Sequence, residues 1–202
     1  MEIKWYTAVI LGLLVAMFFA LTFGAKRAKW NARRLANAAM CIAIAFVLSL
    51  IKIWEMPQGG TITPASMLPL VLFCLAAGPW QGIAMGCAYG MLQLLDNPYV
   101  IHPVQLLVDY PLAFGAVALA CVAAKIPVRD SVKLPIAVLL GFVGRYIMAV
   151  ISGTVFFAEY AGDQNALIYS LGYNIAYLGP DCIVCMLVAC VPGMSRLWKS
   201  MK

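Results

Sequence analysis

Charge is scarce in this chain. Of 202 residues only 11% are charged, eight are acidic, and histidine occurs once, as His102. A soluble domain carries about 25% charged residues, so a water-facing globular fold is excluded. The phosphate-cradling pattern G-x-x-x-x-G-K-[ST] is absent, and Gly-Lys does not occur even as a dipeptide. That removes a P-loop ATPase. An intramembrane serine protease needs a serine and a histidine buried together; Ser152 is available, but His102 falls in a turn beside Pro103. The same shortage of ligands leaves no metal site, and no cofactor is expected. All seven cysteines lie in apolar stretches, and Cys182-x-x-Cys185 has no second ligand pair. They read as small space-filling side chains. An enzyme is not expected.

What is abundant is hydrophobic surface, at 64% of residues. A membrane-crossing helix uses about 20 apolar residues, so six or seven of them would consume most of the chain and leave no room for a separate catalytic domain. The predicted class is an all-α integral membrane bundle. Trp5–Gly24 is an uncharged run between Lys4 and Lys26. A signal peptide is the competing reading, but its apolar core is only about 7–15 residues and its charge precedes the run. The next spans are expected at Leu35–Ile51, Val104–Ala124, Leu134–Phe157 and Ala166–Val191. Between them, 67–95 is uncharged and too long for one straight helix. Gly78-Pro79 divides it into helices at about 67–78 and 81–95, because proline donates no hydrogen bond and disfavours α geometry before it.

One assumption sorts the charges. With the N-terminus outside, the loop holding Lys26, Arg27, Lys29, Arg33 and Arg34 is cytoplasmic, as are Lys125, Arg129 and Lys133 and then Arg196, Lys199 and Lys202. Those are eleven of the fourteen basic residues, as the positive-inside rule requires. The net charge of +6 therefore reports orientation, and no nucleic-acid partner is inferred.

Ionisable groups inside spans are costly and mark functional sites. Three occur: Asp109, Arg145 and Asp181. At 1.5 Å per residue, Asp109 lies about 8 Å below the outer end of its helix, and Tyr169 and Asn174 about 5 and 12 Å below theirs. With Tyr110 and Phe157 they form an acid, ring and amide set near the external face, the lining a cationic aromatic ligand wants. The alternative is an interfacial aromatic belt with Asp109 and Asn174 bonding between helices. Arg145 and Asp181 fall deeper and are expected to pair. Ala39-x-x-x-Ala43 in the second span offers a close-approach face, either for a partner or for a neighbouring helix.

Several stretches resemble one family over residues 35 to 192. They are Ala39-x-x-x-Ala43; Met56-Pro-Gln-Gly-Gly60 leading to Ser66-Met-Leu-Pro69; Tyr89-Gly-x-Leu-Gln93; His102-Pro-x-Gln-Leu-Leu-x-Asp-Tyr-Pro-Leu-Ala-Phe114; Gly144-Arg-Tyr146 with Ser152-Gly-x-x-Phe-Phe157; and Tyr169-Ser-x-x-Tyr-Asn174. Together they are similar to the thiamine-specific S component, the substrate-binding membrane subunit of energy-coupling factor (ECF) transporters. The resemblance implies a six-helix bundle at 35–192 holding thiamine near the extracellular face. It would be preceded by an extra transmembrane helix with a basic linker (1–34) and followed by a basic cytoplasmic tail (193–202).

By position, the resemblance implies that Asp109, Tyr110, Tyr169 and Asn174 hold the polar groups of thiamine, that Phe157 stacks on a ring, and that Arg145 stands near the ligand. Trp54 would stand in for a tryptophan of the external loop, and Ala39 and Ala43 would meet the coupling membrane subunit. Two ATPase subunits complete the implied set of partners in the bacterial cell membrane. A histidine that some members carry four residues after the basic position is Ala149 here. The rival readings are a solitary proton-coupled secondary transporter and an S component for a thiamine precursor or another vitamin.

Overall fold

The computed structural model describes Gly12, residues 28–96 and residues 98–202. The expected span at 5–24 lies outside the described residues, Gly12 apart. Among the described residues, four helices are long and apolar enough to cross a membrane: Ala32–Ser49, Pro103–Lys125, Asp130–Phe156 and Ala166–Ala189. The protein is a helical membrane protein.

Helix α1 (Ala32–Ser49) starts where the Asn31 side chain accepts a hydrogen bond from the Arg34 amide at 2.8 Å, a cap that satisfies one of the free N-terminal donors. A loop follows, carrying a two-residue hairpin that the sequence pattern did not predict: β1 (Trp54–Glu55) pairs antiparallel with β2 (Thr61–Ile62), Trp54 opposite Ile62. The loop then dips into the bundle before α2 (Leu68–Ala77). Every residue of α2 from Leu68 to Leu75 is buried, so it is apolar all round, as a helix surrounded by others must be.

The turn to α3 (Pro79–Leu92) comes at Gly78, whose φ of +96° lies in the region that favours glycine. The sequence placed the restart after Trp80. It comes at Pro79 instead, because a proline in the first helical turn gives up no hydrogen bond.

Helix α4 (Pro103–Lys125) is irregular: α-helical over Pro103–Leu107, a π-type turn over Val108–Leu112, and tightly wound from Ala116. Pro111 sits inside the wide turn and cannot complete the regular ladder. Helices α5 (Asp130–Phe156) and α6 (Ala166–Ala189) follow, and α5 packs along both α4 and α6.

The stretch 193–202, read as a tail, folds back largely as α7 (Pro192–Ser200) with Trp198 almost wholly buried. Arg33 Nη2 donates to the Ser200 carbonyl at 2.9 Å, and Lys199 pairs with Asp130 at 2.5 Å. The helices alternate in direction. The ends of α1, α3 and α5 therefore meet the starts of α4 and α6 at one pole, and the basic residues gather at the other.

Candidate functional site

The pole where α4 and α6 begin is hollow. Its cavity has a volume of about 150 Å³, room for roughly ten water-sized spheres. Helices α4, α5 and α6, the hairpin loop, and Gln93, Asp96 and Tyr99 after α3 enclose it.

The α4 wall carries the acid. Asp109 lines the cavity from the π-type turn, a distortion that re-aims side chains and is frequent at functional sites. Gln105, one turn earlier and 1% exposed, donates from Nε2 to Asp109 Oδ2 at 2.5 Å and to the Tyr99 carbonyl at 3.1 Å, while its Oε1 accepts from the Ile101 amide at 3.2 Å. With amide oxygen and nitrogen both engaged, its orientation is fixed. The Tyr110 hydroxyl accepts from the Tyr99 amide at 3.1 Å, so the 99–101 segment is tied to the acid's own turn.

The α5 floor contributes Arg145, Ala149, Gly153 and Phe157. The expected Arg145–Asp181 pair does not form: among the described residues neither makes an ion pair within 4 Å. Asp181 instead accepts from the Thr63 amide and hydroxyl, at 3.1 and 3.0 Å. Arg145 sits over the Phe114 ring, 4.4 Å from its centroid, with Nη1 2.8 Å from Met67 Sδ. A ring face and a thioether cradle this cation without neutralising it. Phe157 stacks on Tyr99 at 5.9 Å, and the Tyr99 hydroxyl bonds that of Tyr160 at 2.6 Å. That bond is the main reason the Tyr160 phenol stands above its ordinary pKa.

The α6 wall is a ladder of rings at a spacing of four. Tyr169 stacks on Tyr173 (6.1 Å) and Tyr173 meets Tyr177 edge-on (5.9 Å). Asn174 lines the cavity, but its own chain occupies it. Nδ2 donates to the Ser170 carbonyl at 2.8 Å and lies 3.3 Å from the Ala149 carbonyl, and Oδ1 accepts from the Tyr177 hydroxyl at 3.0 Å.

The loop closes the remaining side. The Gln58 amide donates to the Tyr173 hydroxyl at 3.1 Å, and the Tyr169 hydroxyl reaches Gln58 Oε1 at 3.5 Å. Lys52 lies at the rim between Glu55 (3.5 Å) and Asp96 (3.6 Å).

The structure thus brings Asp109, Tyr110, Arg145, Phe157, Tyr169 and Asn174 to one cavity. It does not bring Trp54, which is 62% exposed on β1 and forms no part of the lining; the loop reaches the rings of α6 through Gln58. Ala39 and Ala43 lie on the exposed face of α1, away from the cavity. Inside the Lys52, Glu55 and Asp96 rim, the Asp109 carboxylate and the Arg145 guanidinium among aromatic side chains suit a cationic heterocycle that also carries hydrogen-bond acceptors.

Residues 35–199 match the family described as Thiamine transporter protein (Thia_YuaJ). This chain belongs to that family. It is 36% identical over 184 residues to the thiamine transporter ThiT of Bacillus subtilis (strain 168), covering 84% of this chain and 95% of that one. A second ThiT, from Lacticaseibacillus paracasei, is 26% identical over 122 residues, 54% of this chain and 61% of its own. The solved structure of ThiT from Listeria monocytogenes superposes with a TM-score of 0.64 at 25% identity, covering 83% of this chain and 93% of the other.

For a chain of the thiamine transporter family, the cavity residues that sequence reasoning passed over are instructive. Gln105 stands four before Asp109, a spacing that puts the two side chains together on a helix. Tyr173 and Tyr177 continue the Tyr169 stripe at the same spacing. Gln58, Lys52, Glu55 and Asp96 carry no such periodic signal, because their meeting depends on the path of the loop.

Proposed function

We propose that this chain is the thiamine-binding S component of an ECF-type importer, capturing the vitamin near the extracellular face. The observation that carries the reading is Asp109, a carboxylate in an aromatic-walled cavity in a chain of the thiamine transporter family. Thiamine joins a cationic thiazolium to an aminopyrimidine. The carboxylate attracts the cation, and the faces of Tyr169 and Phe157 add cation–π and stacking contributions of about 0.5–2 kcal/mol each. Arg145, which makes no ion pair among the described residues, donates to an acceptor on the ligand. Tyr110 and Asn174 supply further polar contacts, for which Asn174 gives up one of its internal bonds. Ala149 leaves open space where a bulkier side chain would shrink the cavity. Trp54 is not part of this reading, since it is exposed and lies outside the cavity lining.

In this proposal α1–α6 form the six-helix bundle and residues 5–24 add a further span, with the N-terminus outside and the C-terminus cytoplasmic. The chain binds without a cofactor and hydrolyses nothing. A coupling membrane subunit docks against Ala39 and Ala43 on α1, and two ATPase subunits drive transport.

Fluorescence titration of the purified protein with thiamine, its pyrimidine fragment and riboflavin tests the site. Saturable binding of thiamine, weaker binding of the fragment and none of riboflavin is expected; equal binding of all three sinks the reading. Coupling is tested by thiamine uptake in cells lacking any coupling ATPase. Uptake is expected to vanish there. Uptake that persists and collapses with an uncoupler makes the protein a proton-coupled carrier instead.

A further inference from the structure

Asp181 is 1% exposed on α6, and ligand binding gives it no direct task. A buried acid at this depth is expensive unless its bonds do something specific. Both of its observed partners are on Thr63, in the irregular segment that dips into the bundle before α2. Thr63 in turn holds Ser66, hydroxyl to hydroxyl at 2.7 Å, with the Ser66 amide 3.3 Å from Thr63 Oγ1. Non-helical backbone at membrane depth survives only where protein satisfies its polar groups, and this acid and hydroxyl cluster does so.

The segment is also strained. Ala65, with φ of +64°, is the one non-glycine residue in the left-handed region among the described residues. Such a conformation is costly for a residue with a side chain and persists only where its surroundings dictate it. The next residue but one is Met67, wholly buried, with Sδ 2.8 Å from Arg145 Nη1. Asp181 and Arg145 do not touch, yet they hold opposite ends of the same five residues.

We propose that Asp181 and Met67 are positioning residues for Arg145: the acid anchors the strained 63–67 segment, and the thioether at its end aims the guanidinium into the cavity. This rests on the reading that Arg145 touches thiamine. Met67 is a better holder than an acid here. It fixes the guanidinium through one soft contact and leaves its charge available to the ligand.

The test is a double-mutant cycle on the full chain in detergent, read as thiamine Kd by fluorescence titration. Met67→Leu conserves volume and keeps the fold while removing the sulfur. It is expected to weaken thiamine about fivefold, and Arg145→Ala about twentyfold or more, with the double variant no weaker than Arg145→Ala alone. Asp181→Leu should behave like Met67→Leu. Asp181→Asn, whose amide oxygen can accept both Thr63 bonds, should restore affinity to within about twofold of wild type. The inference is overturned if Met67→Leu leaves affinity unchanged, if its loss multiplies with that of Arg145→Ala, or if Asp181→Asn is as damaging as Asp181→Leu. Those failures occur with thiamine binding intact. If wild type does not bind thiamine, or Arg145→Ala is silent, the functional reading falls first and takes this inference with it.

Discussion

The two long walls of the cavity solve different problems with different chemistry. The α4 wall presents one charge and spends its hydrogen bonds immobilising it: Gln105 fastens the Asp109 carboxylate to the 99–101 segment, and Tyr110 fastens the same segment again. The α6 wall presents three rings, and two of their hydroxyls hold the loop through Gln58. One wall is rigid because its bonds stay within one helix and the segment leading into it. The other grips a part more than a hundred residues away in sequence. The charge should therefore govern how tightly a ligand is held, and the ring ladder how well the cavity is sealed.

The largest effect expected comes from removing the charge. Asp109→Ala should weaken thiamine about 100-fold, the scale of a lost charged hydrogen bond in a low-dielectric site. Asp109→Asn should fall between that variant and wild type. Titration of the two side by side checks the order, and equal losses would mean that shape, not charge, is what the α4 wall supplies.

The next effect is on the seal. A Cβ at Gly60 would stand 2.6–2.9 Å from ring atoms of Tyr177, and that ring is buried among its neighbours. Gly60→Ala must therefore lift the loop or turn the ring. We expect about tenfold weaker binding, carried mainly by faster release, since most affinity changes within one interface lie in the off-rate. Stopped-flow displacement separates the two. A slower on-rate with unchanged release would mean that the loop obstructs entry and seals nothing.

Gln105→Leu should be milder, about threefold to tenfold, because the carboxylate remains and only its aim is lost. The Ile101 amide and Tyr99 carbonyl lose a partner at the same time. Affinity and the protection of the 99–101 amides from hydrogen exchange should therefore decline together. Loss of affinity with protection intact would break the link between segment and acid.

How much of this was legible in the sequence depends on the period of each signal. Helices announce themselves through apolar runs and proline punctuation, and α1, α2, α5 and α6 fall within a few residues of where that pattern puts them. The acid, rings and amide of the site were visible because membrane depth follows from counting residues along a helix. The contacts of the loop were not legible. Gln58, Gly60 and Thr63 gain their roles from tertiary contacts with α6, and no local pattern encodes a contact more than a hundred residues distant. Proximity in depth also misled: Arg145 and Asp181 lie at comparable levels, yet the 63–67 segment and Met67 come between them. Depth fixes one coordinate of three.

The smallest effect expected lies at the pole away from the cavity, where Lys199 bridges Asp130 and α7 covers the bundle. Both side chains are about half exposed to solvent, and exposed ion pairs contribute little because water and salt screen them. Burial of Trp198 and the bond from Arg33 to the Ser200 carbonyl hold α7 without that pair. Lys199→Ala should thus leave thiamine affinity within about twofold of wild type, at low and at high salt alike. The cavity end owes its properties to groups shielded from water, so a substitution at the basic end that changed affinity would show that α7 communicates with the cavity through α5 or α6. Measuring Kd at two ionic strengths decides it: a change that salt erases belongs to the surface pair, and one that salt leaves alone belongs to helix packing.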